Sequence, residues 1–178
     1  MSLFNIPFFK SEKQPSEDIL QIKSPADGVC IPLAGVEDEV FSKQILGDGC
    51  AVVPETGELF SPAVGVIDSV FDTGHAISMT ADCGAQLLIH CGIDTVKMKG
   101  EGFLPLVKEG DRVKAGEPIL RFDIELIRKR GFAPTTPVVV LNSDEFRIRR
   151  TECGQIKHTE TLMTVSRKAA ASETKESI

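Results

Sequence analysis

Hydrophobic and polar positions alternate in short runs between residues 19 and 166, and glycine, proline and aspartate interrupt these runs. This pattern is typical of β-strands joined by turns, and little of the chain shows helical periodicity. Its spacing indicates an all-β sandwich or barrel. The predicted strands cover residues 19–23, 28–32, 49–53, 64–71, 76–80, 85–89, 118–122, 136–141 and 161–165.

One short helix is predicted over residues 123–131, because acidic residues come early, arginines come late and Gly131 can end it. The domain is expected to occupy residues 19–166, between flexible tails at 1–18 and 167–178. Disorder is the favoured interpretation of the first tail. The alternative is a weak contact with a membrane surface through its apolar residues Phe4, Ile6, Phe8 and Phe9.

The two strands at 76–80 and 85–89 are expected to form a hairpin, since residues 81–84 between them have turn-forming chemistry. A two-residue or four-residue loop there places His75 directly opposite His90. Directly opposed residues share one face of the sheet. We therefore expect two facing histidines, with Ile77, Met79 and Leu88 around them on the same face.

Facing neutral imidazoles suit phosphoryl transfer. With an ordinary pKa near 6.5, an imidazole nitrogen is a nucleophile at neutral pH and can accept a phosphoryl group that stays labile. The second imidazole can donate a hydrogen bond to the phosphoryl oxygens. The second nitrogen of each ring needs a hydrogen-bond partner that fixes the tautomer. Thr73 and the carbonyl of Gly92 are close enough in sequence to be these partners.

Composition narrows the class of protein further. The 178 residues carry a formal net charge of −6, which argues against a nucleic-acid partner. No apolar run is long enough for a transmembrane helix, and the first residues lack the features of a signal peptide. The five cysteines include no C-x-x-C pair, so we interpret them as reduced thiols in a cytoplasmic protein.

The segment VKEGDRVKAGE at 107–117 is similar to the double turn of barrel-sandwich hybrid domains, in which Gly110 and Gly116 supply the unusual backbone angles. Lipoyl and biotinyl carriers contain this turn. A carrier of that type is therefore one alternative, with Lys97 or Lys99 as the modified residue, although the order of residues around them is wrong.

Several blocks of sequence closely resemble the glucose-type enzyme IIA of the bacterial phosphoenolpyruvate:sugar phosphotransferase system. The resemblance extends from about Ile19 to Val165 and implies an antiparallel β-sandwich, jelly-roll-like and distorted. The block at 88–96 is the most specific of them. The blocks are EVFS at 39–42, ILGDG at 45–49, SP at 61–62, FDTGHA at 71–76, LIHCGIDTV at 88–96 and KGEGF at 99–103.

The resemblance implies a phosphotransferase component that needs no obligatory cofactor. His90 would accept the phosphoryl group on Nε2 from the phosphocarrier HPr and pass it to a cysteine in the IIB domain of a sugar permease. His75 would stabilise that group, Thr73 would orient His75, and Gly92 would hold His90. The implied docking surface consists of Asp38, Val40, Phe41, Ile45, Leu46, Phe71, Leu88, Asp94 and Val96.

Some members of this family also bind zinc through the two histidines and a partner's carboxylate. His75 and His90 are therefore conditional zinc ligands, and regulated transporters or metabolic kinases are further expected partners. A second alternative is a zinc peptidase of the lysostaphin type, because His90 and Asp94 have its H-x-x-x-D spacing. That class needs additional histidines, and only His158 remains. A monomer is expected.

Overall fold

The computed structural model describes residues 19–169, so the first predicted tail and most of the second lie outside the described residues. Two α-helices are present within this range, α1 at Glu39–Ser42 and α2 at Ile124–Lys129. Short 3₁₀ helices occur at Leu33–Gly35, Thr95–Met98 and Ser143–Glu145. The strands are β1 Ile19–Lys23, β2 Gly28–Pro32, β3 Asp48–Pro54, β4 Glu58–Phe60, β5 Gly65–Val70, β6 Ala76–Ala81, β7 Gln86–His90, β8 Phe103–Pro105, β9 Arg112–Val113, β10 Pro118–Phe122, β11 Thr136–Val140, β12 Phe146–Arg150, β13 Gly154–Ile156 and β14 Thr161–Arg167.

The strands form one large sheet and two small sheets, and neighbouring strands pair in antiparallel orientation throughout. The large sheet has the order β13-β2-β3-β11-β7-β6-β5-β9. The small sheets have the orders β1-β14-β12 and β4-β10-β8. The predicted antiparallel β-sandwich is confirmed. No helix within residues 19–169 is long and apolar enough to span a bilayer.

Strand positions follow from burial and side-chain shape. All five residues of β11 are buried, and its three consecutive valines suit a central strand that is covered on both faces.

The predicted helix is confirmed as α2. The Asp123 carboxylate caps its first turn by accepting a hydrogen bond from the Leu126 amide. The prediction missed α1, which the Asp38 carboxylate caps in the same way.

Apolar side chains form two clusters, one on each face of the large sheet. The main core fills the space between the sheets and includes Ile77, Met79 and Ile89. A smaller cluster packs α1 against the opposite face. It consists of Leu33, Val36, Phe41, Ala51, Ala76, Leu88, Ile93 and Val139.

The register predicted for the β6–β7 hairpin is wrong by one residue. His90 pairs with Ala76, not His75, and Leu88 pairs with Ser78. The Ala81 amide donates to the Ala85 carbonyl, which closes a three-residue turn that Gly84 completes in the left-handed region at φ 86°. Ile77 and Met79 therefore point into the main core and do not surround the histidines, whereas Leu88 faces α1.

Candidate functional site

His90 is the last residue of β7, and a bend immediately after the strand fixes the orientation of its ring. The His90 Nδ1 lies 2.7 Å from the carbonyl oxygen of Gly92. Since a carbonyl can only accept, Nδ1 carries the proton and donates it. In the neutral ring, Nε2 then keeps its lone pair and can act as a nucleophile.

His75 lies just before β6 and reaches the same place by a different route from the one predicted. Its carbonyl accepts a 2.7 Å hydrogen bond from the Cys91 amide, and Gly74 bends the preceding chain at φ 68°. Because His75 lies outside the strand, the alternation of faces does not apply to it. The two imidazoles meet nearly at right angles, with ring centroids 4.8 Å apart. Thr73 Oγ1 lies 2.5 Å from His75 Nδ1.

Each histidine ring also contacts an aromatic ring edge to face. Phe41 from α1 lies 5.1 Å from the His90 ring, centroid to centroid, and Phe71 lies 5.8 Å from the His75 ring. Edge-to-face contacts of this kind favour the observed orientations of the two imidazole rings.

The two rings lie in an apolar depression of about 540 Å³. Two residues that sequence reasoning missed, Ser78 and Leu141, also line it. The correct hairpin register would have identified Ser78, because it pairs with Leu88. The lining residues are Asp38, Val40, Phe41, Leu46, Phe71, His75, Ser78, Leu88, His90, Asp94, Val96 and Leu141.

The residues expected to form a docking surface divide into two layers. Phe41 and Leu88 are buried and form the floor of the depression. The exposed apolar members are Val40, Ile45, Leu46, Phe71 and Val96. Of these, Ile45 does not line the depression and is the most exposed, with 65% of its surface accessible to solvent.

Both histidines are held neutral at physiological pH. Burial lowers the pKa of His75 to about 4, with a further contribution from the charge of nearby His90. Burial also lowers the pKa of His90, although its bond to Gly92 and the carboxylates of Asp38 and Asp94 oppose this shift. The environment of His90 thus favours a neutral ring while retaining groups that can stabilise positive charge on it.

We expect His75 to titrate near pH 4 in NMR spectra of its ring resonances, recorded with a chelator present. Between pH 4 and the unfolded-state pKa near 6.5, the unfolded chain binds a proton that the native state does not. The contribution of His75 to stability should therefore fall as the pH is lowered through this window. Substitution of His90→Gln should raise the titration midpoint of His75, because it removes the nearby positive charge of protonated His90. A His75 midpoint near 6.5 in the native protein would contradict the assigned burial.

We expect Gly92→Ala to destabilise the fold by about 2–3 kcal/mol, measured by denaturant unfolding. Gly92 has φ 77°, and an added Cβ would lie 2.4 Å from Thr95 Cγ2. Gly116→Ala is the matched control, because Gly116 has φ 83° but open space around it. It should lose only the backbone cost of about 1–2 kcal/mol. Equal losses in the two variants would show that the close approach at Gly92 contributes nothing.

Neither alternative class is supported by these positions. His158 lies outside the depression, where its Nδ1 is 2.7 Å from Asp27 Oδ1 and its ring stacks on Phe60. Lys97 lies in a 3₁₀ helix, not at a hairpin tip, and forms a 2.7 Å ion pair with Asp94.

A zinc ion at His75 and His90 stays a prediction. Among residues 19–169, no group of three or more histidine, cysteine, aspartate or glutamate side chains could hold a metal. With both Nδ1 atoms engaged, each ring could offer a metal only Nε2. Zinc in proteins usually takes three or four protein ligands. A zinc ion held here would therefore require at least one more ligand from another molecule.

Comparison with known proteins agrees with the site. The profile of the family described as phosphoenolpyruvate-dependent sugar phosphotransferase system, EIIA 1, matches residues 20–146. The glucose-specific EIIA component of Oceanobacillus iheyensis is 40% identical over 158 residues, which cover 89% of this chain and 92% of that protein. The beta-glucoside-specific EIIBCA component of Bacillus subtilis is 42% identical, but the match covers 82% of this chain and only 24% of that longer protein. The structure of glucose permease IIA from Mycoplasma capricolum superposes with a TM-score of 0.78 at 30% identity, covering 82% of this chain and 95% of that one.

Proposed function

Because this chain belongs to the EIIA 1 family of the phosphoenolpyruvate-dependent sugar phosphotransferase system, we propose that it is a cytoplasmic phosphocarrier with His90 as the phosphoryl acceptor. The donor would be the phosphohistidine of HPr, and the recipient a cysteine in a permease IIB domain. The observation that carries this proposal is the hydrogen bond from His90 Nδ1 to the Gly92 carbonyl, which leaves the Nε2 lone pair free.

In the proposed transfer, His90 Nε2 attacks the phosphorus of the donor phosphohistidine. The new N–P bond forms as the donor N–P bond breaks, and the donor nitrogen recovers its electron pair. No proton needs to leave His90, since Nδ1–H stays in place and the ring becomes cationic. The Gly92 carbonyl then accepts a hydrogen bond from a charged donor, which is stronger than one from a neutral donor. The carboxylates of Asp38 and Asp94 also favour this cation.

His75 is proposed to stabilise the phosphoryl group on His90. If the Thr73 hydroxyl donates to His75 Nδ1, the proton of the neutral His75 ring lies on Nε2. That N–H can then donate to a phosphoryl oxygen as negative charge builds up there. The low pKa of His75 supports this role, because His75 stays a neutral donor throughout the working pH range.

The depression supports docking by two successive partners. Its apolar rim can exclude water from the histidines when a partner covers it, which strengthens the electrostatic interactions inside. The name of the Bacillus subtilis relative joins the IIA component with B and C components in one protein, in agreement with a IIB domain as recipient.

We expect Val96→Glu to slow phosphoryl transfer from subsaturating phospho-HPr about tenfold. In the docked complex, an apolar contact that the partner covers would be replaced by an unpaired charge. Val96 lines the depression and is 49% exposed. Leu104→Glu is the matched control, because Leu104 is exposed but does not line the depression. Equal slowing by both substitutions would argue against docking at this surface.

The test of the proposed function is reconstitution. The full chain is incubated with phosphoenolpyruvate, enzyme I and HPr, and the product is examined for an acid-labile, alkali-stable phosphate by mass spectrometry. We expect modification at His90, dependent on HPr, and loss of the label on addition of a glucose-type IIB domain. Labelling at another residue, or labelling without HPr, would overturn the proposal.

A further inference from the structure

Three cysteine thiols lie together at one edge of the large sheet, away from the histidines. Cys30 is on β2, Cys50 is on β3, and Cys153 immediately precedes the edge strand β13. The Cys30 thiol is near enough to the Cys50 and Cys153 thiols for both to shift its pKa. All three are free, and Cys153 is exposed whereas Cys30 and Cys50 are buried. An exposed thiol therefore neighbours a buried one.

Strand pairing favours one disulfide among the three thiols. Cys30 pairs with Gly154, the residue next to Cys153. Paired Cα atoms lie about 4.5–5.5 Å apart, and a strand rises about 3.3 Å per residue, which places the Cys153 Cα roughly 6 Å from that of Cys30 and within the roughly 4.4–6.8 Å that a disulfide needs. Cys50 pairs with Pro32 and is therefore diagonal to Cys30. Diagonal neighbours are about 7–8 Å apart, which is too far without movement of the backbone.

The three thiols also shift one another's pKa values. Interaction with the Cys50 thiol, and less strongly with that of Cys153, lowers the pKa of Cys30. The same contact with Cys30 raises the pKa of Cys50. Partial burial and the neighbouring Cys30 raise the pKa of the exposed Cys153, whereas the lowered pKa of Cys30 favours its thiolate, the nucleophilic form, for attack within the pair. The burial of Cys30 prevents direct reaction with solutes but not with the neighbouring Cys153 sulfur.

We propose that Cys30 and Cys153 form a thiol–disulfide site that is oxidised by low-molecular-weight disulfides. In the first step the Cys153 thiolate attacks one sulfur of the small disulfide, forming a mixed disulfide and releasing one small thiol. In the second step the Cys30 thiolate attacks Cys153 Sγ and releases the second small thiol. Two protein thiols are oxidised, one small disulfide is reduced to two thiols, and both protein protons pass to solvent or to the released thiolates.

The disulfide would tie the edge strand β13 to β2 and leave the histidine site unchanged. In the large sheet β13 and β7 stand at opposite sides of β2, β3 and β11. Oxidation is therefore expected to leave labelling of His90 intact. This separates the proposal from the phosphocarrier function, because either can fail without the other.

The experiment uses the full, reduced chain and oxidised glutathione as the probe. After incubation and alkylation of the remaining thiols, peptides are mapped by mass spectrometry under non-reducing conditions. We expect a Cys30–Cys153 cross-link, a transient glutathione adduct on Cys153, and recovery of both thiols with dithiothreitol. Cys30→Ala should convert the transient adduct into a stable one, and Cys153→Ser should prevent both products. Cys83→Ser, at a partly exposed thiol in the hairpin turn, is the control and should change nothing.

Several results would overturn the proposal. They are a glutathione adduct on Cys153 that persists in the native chain, a cross-link that involves Cys50 in place of Cys30 or Cys153, or equal modification of Cys83. The native chain supplies a second measurement that does not depend on the folding of Cys30→Ala. Treatment with oxidised glutathione should protect Cys153 from maleimide while the thermal unfolding midpoint stays the same or rises. A lower midpoint would show that the cross-link strains the native fold and would count against a built site.

Discussion

Substitution of His90→Gln is expected to abolish phosphoryl acceptance from phospho-HPr, lowering the labelling rate by a factor of at least about 10³. Glutamine keeps a polar group of similar reach but has no nucleophilic nitrogen. Among residues 19–169, the other histidine of the depression is His75, and its pKa of about 4 makes its ring a weak base. The measurement is the initial rate of acid-labile phosphate incorporation.

His158→Gln is the control for this substitution. His158 stacks on Phe60 and bonds to Asp27 outside the depression, so its loss should leave the labelling rate unchanged. Unfolding midpoints of all variants should be compared, so that loss of labelling is not confused with loss of the fold. Retention of labelling in His90→Gln would remove the central residue of the proposed mechanism.

Substitution of His75→Gln is expected to separate acceptance from delivery. His90 keeps its Nε2 lone pair and its bond to Gly92, so end-point labelling with excess donor should approach that of the native chain. Delivery to a IIB cysteine should slow about 10²–10³-fold, which is typical of losing one donor to a developing anion. The readout is the rate at which labelled protein loses its phosphate to a purified IIB domain.

Substitutions of Thr73 are expected to have a smaller effect, because Thr73 acts on the phosphoryl group only through its hydrogen bond to His75. Thr73→Ala should slow delivery less than His75→Gln does, and Thr73→Ser should restore it, since the hydroxyl that bonds His75 Nδ1 is retained. The ring resonances of His75 should also change in Thr73→Ala but not in Thr73→Ser. Normal delivery by His75→Gln would refute the role assigned to His75.

Much of the fold could be predicted because burial and strand chemistry coincide. The strands at Ile19–Lys23, Gly28–Pro32 and Pro118–Phe122 have the predicted bounds, since apolar runs there end at glycine, proline, serine or aspartate. Strand β12 was missed because Arg147, Arg149 and Arg150 make it look like a polar loop. Its backbone hydrogen bonds are made with β14, and the sequence of β12 alone does not show this pairing.

Most of the residues that the sequence singled out line one depression, but their arrangement in it could not be predicted. Turns of two and three residues use the same amino acids, so Gly84 could not show which one closes the hairpin. The helix α1 has only four residues and no periodicity, yet it brings Phe41 onto His90. Which apolar residues form the floor and which form the rim depends on packing between distant segments, and no local pattern encodes it.

The pairing of β1 with β14 also constrains how the chain can fold during synthesis. Ile19 pairs with Ser166, so the backbone groups of β1 can form their strand hydrogen bonds only after β14 has been synthesised. Closing such a long loop is slow, and a strand without its partner can bind other chains meanwhile. Ribosome-bound chains that lack residues 161–167 should therefore leave β1 unpaired until β14 emerges.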